Sequence, residues 1–270
     1  MLDSVICTLG DLLLDVIVRV DGPIAEDTDT YGRTRVGAGG QAANVAAWAV
    51  ALGGRARFLG KRARDPAGRL VADELRGRGV ELAGPEEEAG TGTVVSLAAA
   101  DGSRTMLTDR GVALDFRPEE LDPAWLADAD WLHVPGYSLV SAPIRGTALK
   151  AGKAAPRVSL DLSSTAAIVA AGVSEFRAAL AELEPEIVFG NQAEVELVGE
   201  IGALTLVVKR GARGAVVRRA AGIEELAALP AEAVDSTGAG DAFAAGFLLD
   251  GPHLALKAAA RCVGTMGAMP

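Results

Sequence analysis

From residue 131 onward the chain alternates short apolar runs with stretches of helical period, and no other feature narrows the possible folds so far. Strands are expected at 131–134, 157–162, 187–189 and 204–208, with helices over 141–150, 174–183 and 192–198 between them. Continuous apolar strands separated by helices fit a mainly parallel sheet covered on both faces, a three-layer α/β/α sandwich. The N-terminal run at 5–9, closed by Gly10, fits the same sheet, and Asp11 and Asp15 follow where such a strand empties into a cleft. Two helices, at about 238–249 and 254–264, close the chain.

The first part reads differently. Segments 16–36 and 91–108 are short alternating pieces, the second bent around Asp101-Gly102-Ser103, and they suggest a small, partly exposed sheet. Helices are expected at 39–52 and 67–78, with a strand at 56–59. The 270 residues are therefore read as one domain carrying a β lid. A formal charge of −10 repels nucleic acid and anionic lipid, which excludes both as partners. The N-terminus has no basic run before its apolar stretch, no uninterrupted span approaches the roughly 20 residues of a membrane helix, and Cys7 and Cys262 read as reduced thiols. These traits suit the cytoplasm.

Chemistry concentrates at strand-to-helix junctions. In Asp235-Ser236-Thr237-Gly238-Ala239-Gly240-Asp241 a polar turn leads into an apolar helix. Backbone N–H groups of Gly238, Ala239 and Gly240 would face a bound anion at the positive end of that helix. Asp241 beside them could accept the proton of an attacking hydroxyl; its plainer role is to complement the helix dipole.

Gly37-Ala38-Gly39-Gly40-Gln41-Ala42-Ala43-Asn44 opens another helix, where glycines admit a polyol and an amide can both donate and accept. Asn191 and Glu194 stand one helical turn apart, suited either to hydrated Mg2+ or to an ordinary capping box. Lys209-Arg210-Gly211-Ala212-Arg213-Gly214 reads as a nucleotide loop or a hairpin turn. His133 and His253 have no metal-ligand spacing to any partner, so both read as structural. Neither a dinucleotide fingerprint nor a P-loop occurs, which argues against a nicotinamide oxidoreductase.

Taken together, Gly39-Gly40-Gln41-Ala42-Ala43-Asn44 and Asp235 to Asp241 resemble the two signatures of the PfkB, or ribokinase-like, carbohydrate kinases. Gly10 to Asp15, Asp109-Arg110-Gly111 and Asn191 to Glu194 resemble further family segments in the same order. The resemblance implies an ATP-dependent kinase that phosphorylates a hydroxyl of a sugar or nucleoside-like molecule. It makes Asp241 the catalytic base and Gly238, Ala239 and Gly240 the anion hole, while Asp15, Gly39, Gly40 and Asn44 grip the substrate. Asn191, Lys209, Gly211 and Thr237 would lie along the nucleotide, with Glu194 holding Mg2+ through water. Asp235 would serve a monovalent-cation (K+) site of the kind several members carry. The lid would close over the sugar and pair two copies into a homodimer. Ribokinases proper have Lys where this chain has Gln41, Pro135-Gly136-Tyr137 lacks an acid that helps hold ribose, and Asp161-Leu162-Ser163-Ser164 matches no substrate subfamily. A sugar-binding regulator with the same fold and no catalysis is the alternative.

Overall fold

The computed structural model describes residues 4–20, 22–98 and 104–270. The chain enters on β1 (Val5–Leu9), buried along its whole length, and leaves it for β2 (Leu13–Val20) and β3 (Gly32–Gly39). Helix α1 (Gln41–Ala51) returns it to β4 (Arg55–Leu59). Next come β5 (Arg62–Ala63), α2 (Pro66–Gly77), β6 (Glu81–Ala83), β7 (Glu86–Glu87), β8 (Thr91–Ala98) and β9 (Arg104–Gly111). The alternating part then follows as β10 (Trp131–Pro135), α3 (Ile144–Ala154), β11 (Val158–Asp161), α4 (Thr165–Ala171) and α5 (Val173–Leu183). It continues through β12 (Ile187–Asn191), α6 (Gln192–Val198), β13 (Thr205–Lys209), β14 (Ala215–Arg219) and β15 (Gly222–Leu226) to α7 (Ala239–Val263).

Among the described residues, nine strands form one sheet in the order β15-β14-β13-β12-β11-β10-β1-β4-β6. Every neighbouring pair from β6 to β13 is parallel, and the pairs β13–β14 and β14–β15 are antiparallel, so β14 alone of these nine strands runs against the rest. From β1 the chain first builds outward through β4 and β6, then crosses to β10 and builds the other way. Strand order therefore reverses at β1, and a ligand cleft belongs beyond the carboxyl ends of β1 and β10.

Adjacent residues of a buried strand serve opposite layers. On β12, Val188 joins Leu9, Phe116, Leu132 and Phe176 on one face, while Phe189 joins Ile6, Trp48, Phe58 and Phe247 on the other. Each such side chain contributes about 1.5–3 kcal/mol of burial. Trp48 is fully buried and donates its indole N–H to the Ala268 carbonyl at 2.8 Å, tying α1 to the chain beyond α7.

Several expected boundaries shift for local reasons. Helix α3 starts at Ile144 instead of residue 141, because Pro143 disfavours helical geometry at the residue before it. Helix α4 was not expected; its seven residues expose no regular polar stripe, and Ser164 caps it by accepting the Ala167 N–H at 3.3 Å. The stretch 210–214 is a hairpin turn, closed by Arg210 N–H to the Gly214 carbonyl at 2.8 Å. α7 is interrupted at Asp250 (φ −150°) and Gly251 (φ 75°), between the two helices expected there.

A second sheet, in the order β3-β2-β8-β9, corresponds to the expected lid strands and extends them to Leu13, Gly39 and Gly111. β2 and β8 pair in parallel, the other two pairs antiparallel. The expected turn at Asp101-Gly102-Ser103 lies outside the described residues. No helix among the described residues is long and apolar enough to cross a membrane.

Candidate active site

The carboxyl ends of the central strands deliver acid, amide and ammonium groups into one cleft. β1 ends before Asp11, β11 ends on Asp161, β12 on Asn191 and β13 on Lys209, while the first turns of α1 and α7 bring Asn44 and Asp241.

Asn44, on the third residue after the start of α1, is buried and donates its amide to Asp241 Oδ2 at 2.8 Å. Its own Oδ1 is buried without a protein partner, an acceptor placed beside the carboxylate. Burial pushes the Asp241 carboxyl up to about 7; Asp161 and Asp11 add to the rise, while the Asn44 hydrogen bond and Lys209 oppose it. A carboxylate with that affinity can take a proton near neutral pH.

The turn before Asp241 keeps donors at the head of α7. Gly238 caps the helix at φ 76°, a left-handed conformation, and a Cβ there would meet the Ala268 carbonyl oxygen at 2.5 Å. The first full helical bond runs from Ala242 N–H to Gly238 O at 2.9 Å, and Ala239 N–H bends back to Ser236 O at 3.4 Å. Gly240 and Asp241 thus lead the helix with amides ahead of its hydrogen-bond ladder. Gly240 also admits Lys209: a Cβ on it would stand 3.1 Å from the Lys209 ammonium.

That ammonium forms an ion pair with Asp161, which is 1% exposed and also accepts the Ser163 N–H at 3.0 Å. Burial pulls the Lys209 pKa down, but Asp161, Glu194 and Asp241 outweigh it and hold the side chain charged. Glu194 is buried nearby, its pKa raised by burial and by Asp161. It closes a capping box with Asn191: Asn191 Oδ1 accepts the Glu194 N–H at 2.9 Å, and Glu194 Oε2 accepts the Asn191 N–H at 2.8 Å. The capping-box reading of the pair is the one seen: the other oxygen, Glu194 Oε1, accepts the Asn191 side-chain amide at 2.8 Å.

Asp15 lies against Gly39 so closely that a Cβ there would fall 2.1 Å from its carboxyl carbon. Burial, with Asp11 and Glu74 adding, pushes Asp15 up to about 7. Gly40, at φ 98°, is the N-cap of α1. Asp11 accepts the Ala42 N–H at 3.3 Å and pairs with Arg110 from β9, whose guanidinium stacks 3.4 Å over the Tyr137 ring.

Not every candidate joins this cluster. Asp235 accepts the Thr237 N–H at 2.9 Å, the Thr237 hydroxyl at 2.6 Å and the Gly267 N–H at 3.0 Å, and it lines a cavity together with Asp15 and Thr237. It shapes the signature loop, and Thr237 sits within that shape. Gly211 is exposed on the β13–β14 turn. His133 is structural: buried and held near a pKa of about 4, it contacts Ser159 Oγ at 2.9 Å. Asp161 went unassigned in the sequence, although an acid closing an apolar strand of a parallel sheet is the same signal that marked Asp11. Gln41 also gains a partner, accepting the Ser163 hydroxyl at 2.6 Å.

Residues 3–250 match the pfkB family carbohydrate kinase profile. An ATP-dependent ribose-1-phosphate kinase of Halopiger xanaduensis is 33% identical over 90% of this chain and 83% of its own. A fructokinase of Klebsiella pneumoniae is 30% identical over the same shares. The crystal structure of adenosine kinase from Sinorhizobium meliloti superposes with a TM-score of 0.85 at 26% identity, covering 100% of this chain and 96% of that one. With both signatures converging on one cleft of a ribokinase-like fold, the chain belongs to the pfkB family of carbohydrate kinases.

Proposed function

We propose that this enzyme transfers the γ-phosphate of ATP to a hydroxyl of a sugar or nucleoside-like substrate, with Asp241 as the general base. The relatives support the class and differ in acceptor: their names specify ribose 1-phosphate, fructose and adenosine. One observation carries the assignment of the base. Asp241 is both oriented by Asn44 and raised to a pKa of about 7, at the head of a helix whose leading amides can face a transferring phosphoryl group.

In this reading the substrate hydroxyl donates to Asp241, Asp15 and the unpaired Asn44 Oδ1 bind neighbouring hydroxyls, and Gly39 and Gly40 let the sugar approach the backbone. The amides of Gly238, Gly240 and Asp241, with Ala239 between them, take the charge that develops on the phosphoryl oxygens. Lys209 lies beside Gly240, where an ammonium stabilises the same charge, and Asn191, Gly211 and Thr237 border the nucleotide. Among the described residues no three acids, histidines or cysteines converge into a metal cage. The carboxylates of Glu194 and Asp161 fit an Mg2+ ion held through water and nucleotide phosphates, which would supply charge neutralisation. The small sheet acts as a lid. Its outer face, with Val36 55% and Leu107 57% exposed, suits pairing with a second copy, which sedimentation would detect.

ADP release measured against pentoses, hexoses, sugar acids and nucleosides tests the reading. Stimulation by at least one acceptor, and loss of about 10²–10⁴ in rate in Asp241→Asn with ATP affinity retained, is the expected result. Sugar binding without phosphorylation would instead make the protein a regulator.

A further inference from the structure

Beyond β11 the chain makes a turn that L-residues avoid. Ser163 has φ 70°, and the Ser164 N–H bonds back to the Leu162 carbonyl at 2.8 Å, so Ser163 is the centre of a three-residue turn of the rare, strained hand. Two other described non-glycine residues have positive φ: Asp27, exposed between β2 and β3, and Glu184, which ends α5. Of the three, Ser163 is the one hydrogen-bonded to residues of the cleft.

Its hydroxyl joins two elements. Ser163 Oγ accepts the Gly136 N–H at 2.8 Å, just past β10, and donates to Gln41 Oε1 at 2.6 Å, on the first residue of α1. Its backbone serves a third: the Ser163 N–H holds Asp161 Oδ1 at 3.0 Å, while Asp161 Oδ2 takes the Lys209 ammonium. The turn presses against the end of β10 so closely that a Cβ on Gly136 would stand 2.5 Å from the Leu162 carbonyl oxygen. Two routes therefore run from Ser163 to Asp241. One passes through Gln41 along the first turn of α1 to Asn44, which donates to Asp241. The other passes through Asp161 to the Lys209 ammonium beside Gly240. Glycine would adopt the same turn without strain, so the turn alone does not call for serine. What glycine lacks is the hydroxyl.

We propose that Ser163 is a positioning residue for phosphoryl transfer, whose hydroxyl sets the spacing between the head of α1 and the Asp161–Lys209 pair. The inference rests on the kinase reading above and gives Ser163 no contact with either substrate. An attacking oxygen and a phosphorus must meet in line, and a misplacement of about 1 Å costs on the order of 100-fold in rate. A crosslink between the helix that orients the base and the cation beside the phosphoryl site governs that distance. Its loss should therefore appear in kcat, with ground-state binding of both substrates kept.

The test measures ADP release with the best acceptor of the panel above in wild type, Ser163→Gly and Ser163→Ala, together with their melting temperatures. Both variants lack the hydroxyl, but alanine keeps the left-handed strain that glycine relieves, so Ser163→Gly should melt a few degrees above Ser163→Ala. In both, kcat should nevertheless fall alike, by about 10–100-fold, with each KM within about threefold of the wild type. Because the hydroxyl acts through Gln41, adding Gln41→Ala to Ser163→Gly should cost no more than the worse single variant. A loss carried by either KM, additive losses in the double variant, or activity that follows melting temperature instead of the hydroxyl overturns the proposal. A wild type that releases ADP with no acceptor overturns the kinase reading and this role with it, whereas an active wild type with an equally active Ser163→Gly overturns this role alone.

Discussion

Asn44 and Asp241 lie 197 residues apart and share a 2.8 Å hydrogen bond, amide to carboxylate, where the first turns of α1 and α7 meet. The bond favours the ionised acid and opposes the burial that pushes Asp241 up to about 7. A base must be ionised to act, so the rate should rise with pH through that region. Replacing Asn44 by Ala removes the opposing contribution and moves the acid limb of kcat/KM to higher pH; for every pH unit that the limb moves, about tenfold less of the base is active at low pH. A pH–rate profile that moves down, or stays put, contradicts the assignment.

Asp15 makes a prediction about stability. Its pKa is raised to about 7 in the folded chain, so the folded state binds its proton more tightly than the unfolded one. That contribution is complete in acid and is lost as pH rises through about 7. Asp15→Asn, which cannot ionise, should match the wild type near pH 4 and melt several degrees higher at about pH 8.5, as read by calorimetry. A gap that narrows with rising pH would reverse the sign and refute the account.

Gly39 should tolerate no side chain. Its Cβ would fall 2.1 Å from the Asp15 carboxyl carbon, so Gly39→Ala has to displace that group. The sugar KM should rise about tenfold, as expected for a lost hydrogen bond to a charged group, while the KM for ATP holds. Equal loss of both would mean that the variant distorts α1 instead.

Arg110 crosses from β9 to Asp11, which is only 4% exposed. Arg110→Ala strands a buried charge and should cost about 3–5 kcal/mol in chemical denaturation. Combining Asp11→Asn with Arg110→Met removes both charges, and the pair should be less destabilised than the single variant.

Much of the layering was legible because strands such as Val5–Leu9 are buried on both faces and leave an unbroken apolar run. The helix of Asn44 and the loop before Asp241 were equally visible, since glycine and helix-period alanine are local signals. Pairings across the chain were not. Asp161 acquires its chemical meaning from Lys209, 48 residues later, and nothing in the intervening sequence names that partner. The arginines of β2 and β3 looked like ordinary alternation in an exposed sheet; only the register, Arg19 opposite Arg33, shows that they converge. α4 stayed hidden because a short helix of small apolar residues has no periodic contrast to read.

The order in which these groups leave the ribosome follows from their places along the chain. Asn44 and Asp15 emerge early, and the acid they await arrives on α7, after every strand of the large sheet. With Asp241 as the proposed base, a growing chain would assemble most of its layers while still unable to consume nucleotide. Hydrolytic idling during synthesis would then be precluded by sequence order, because phosphoryl transfer would wait for the last helix to dock.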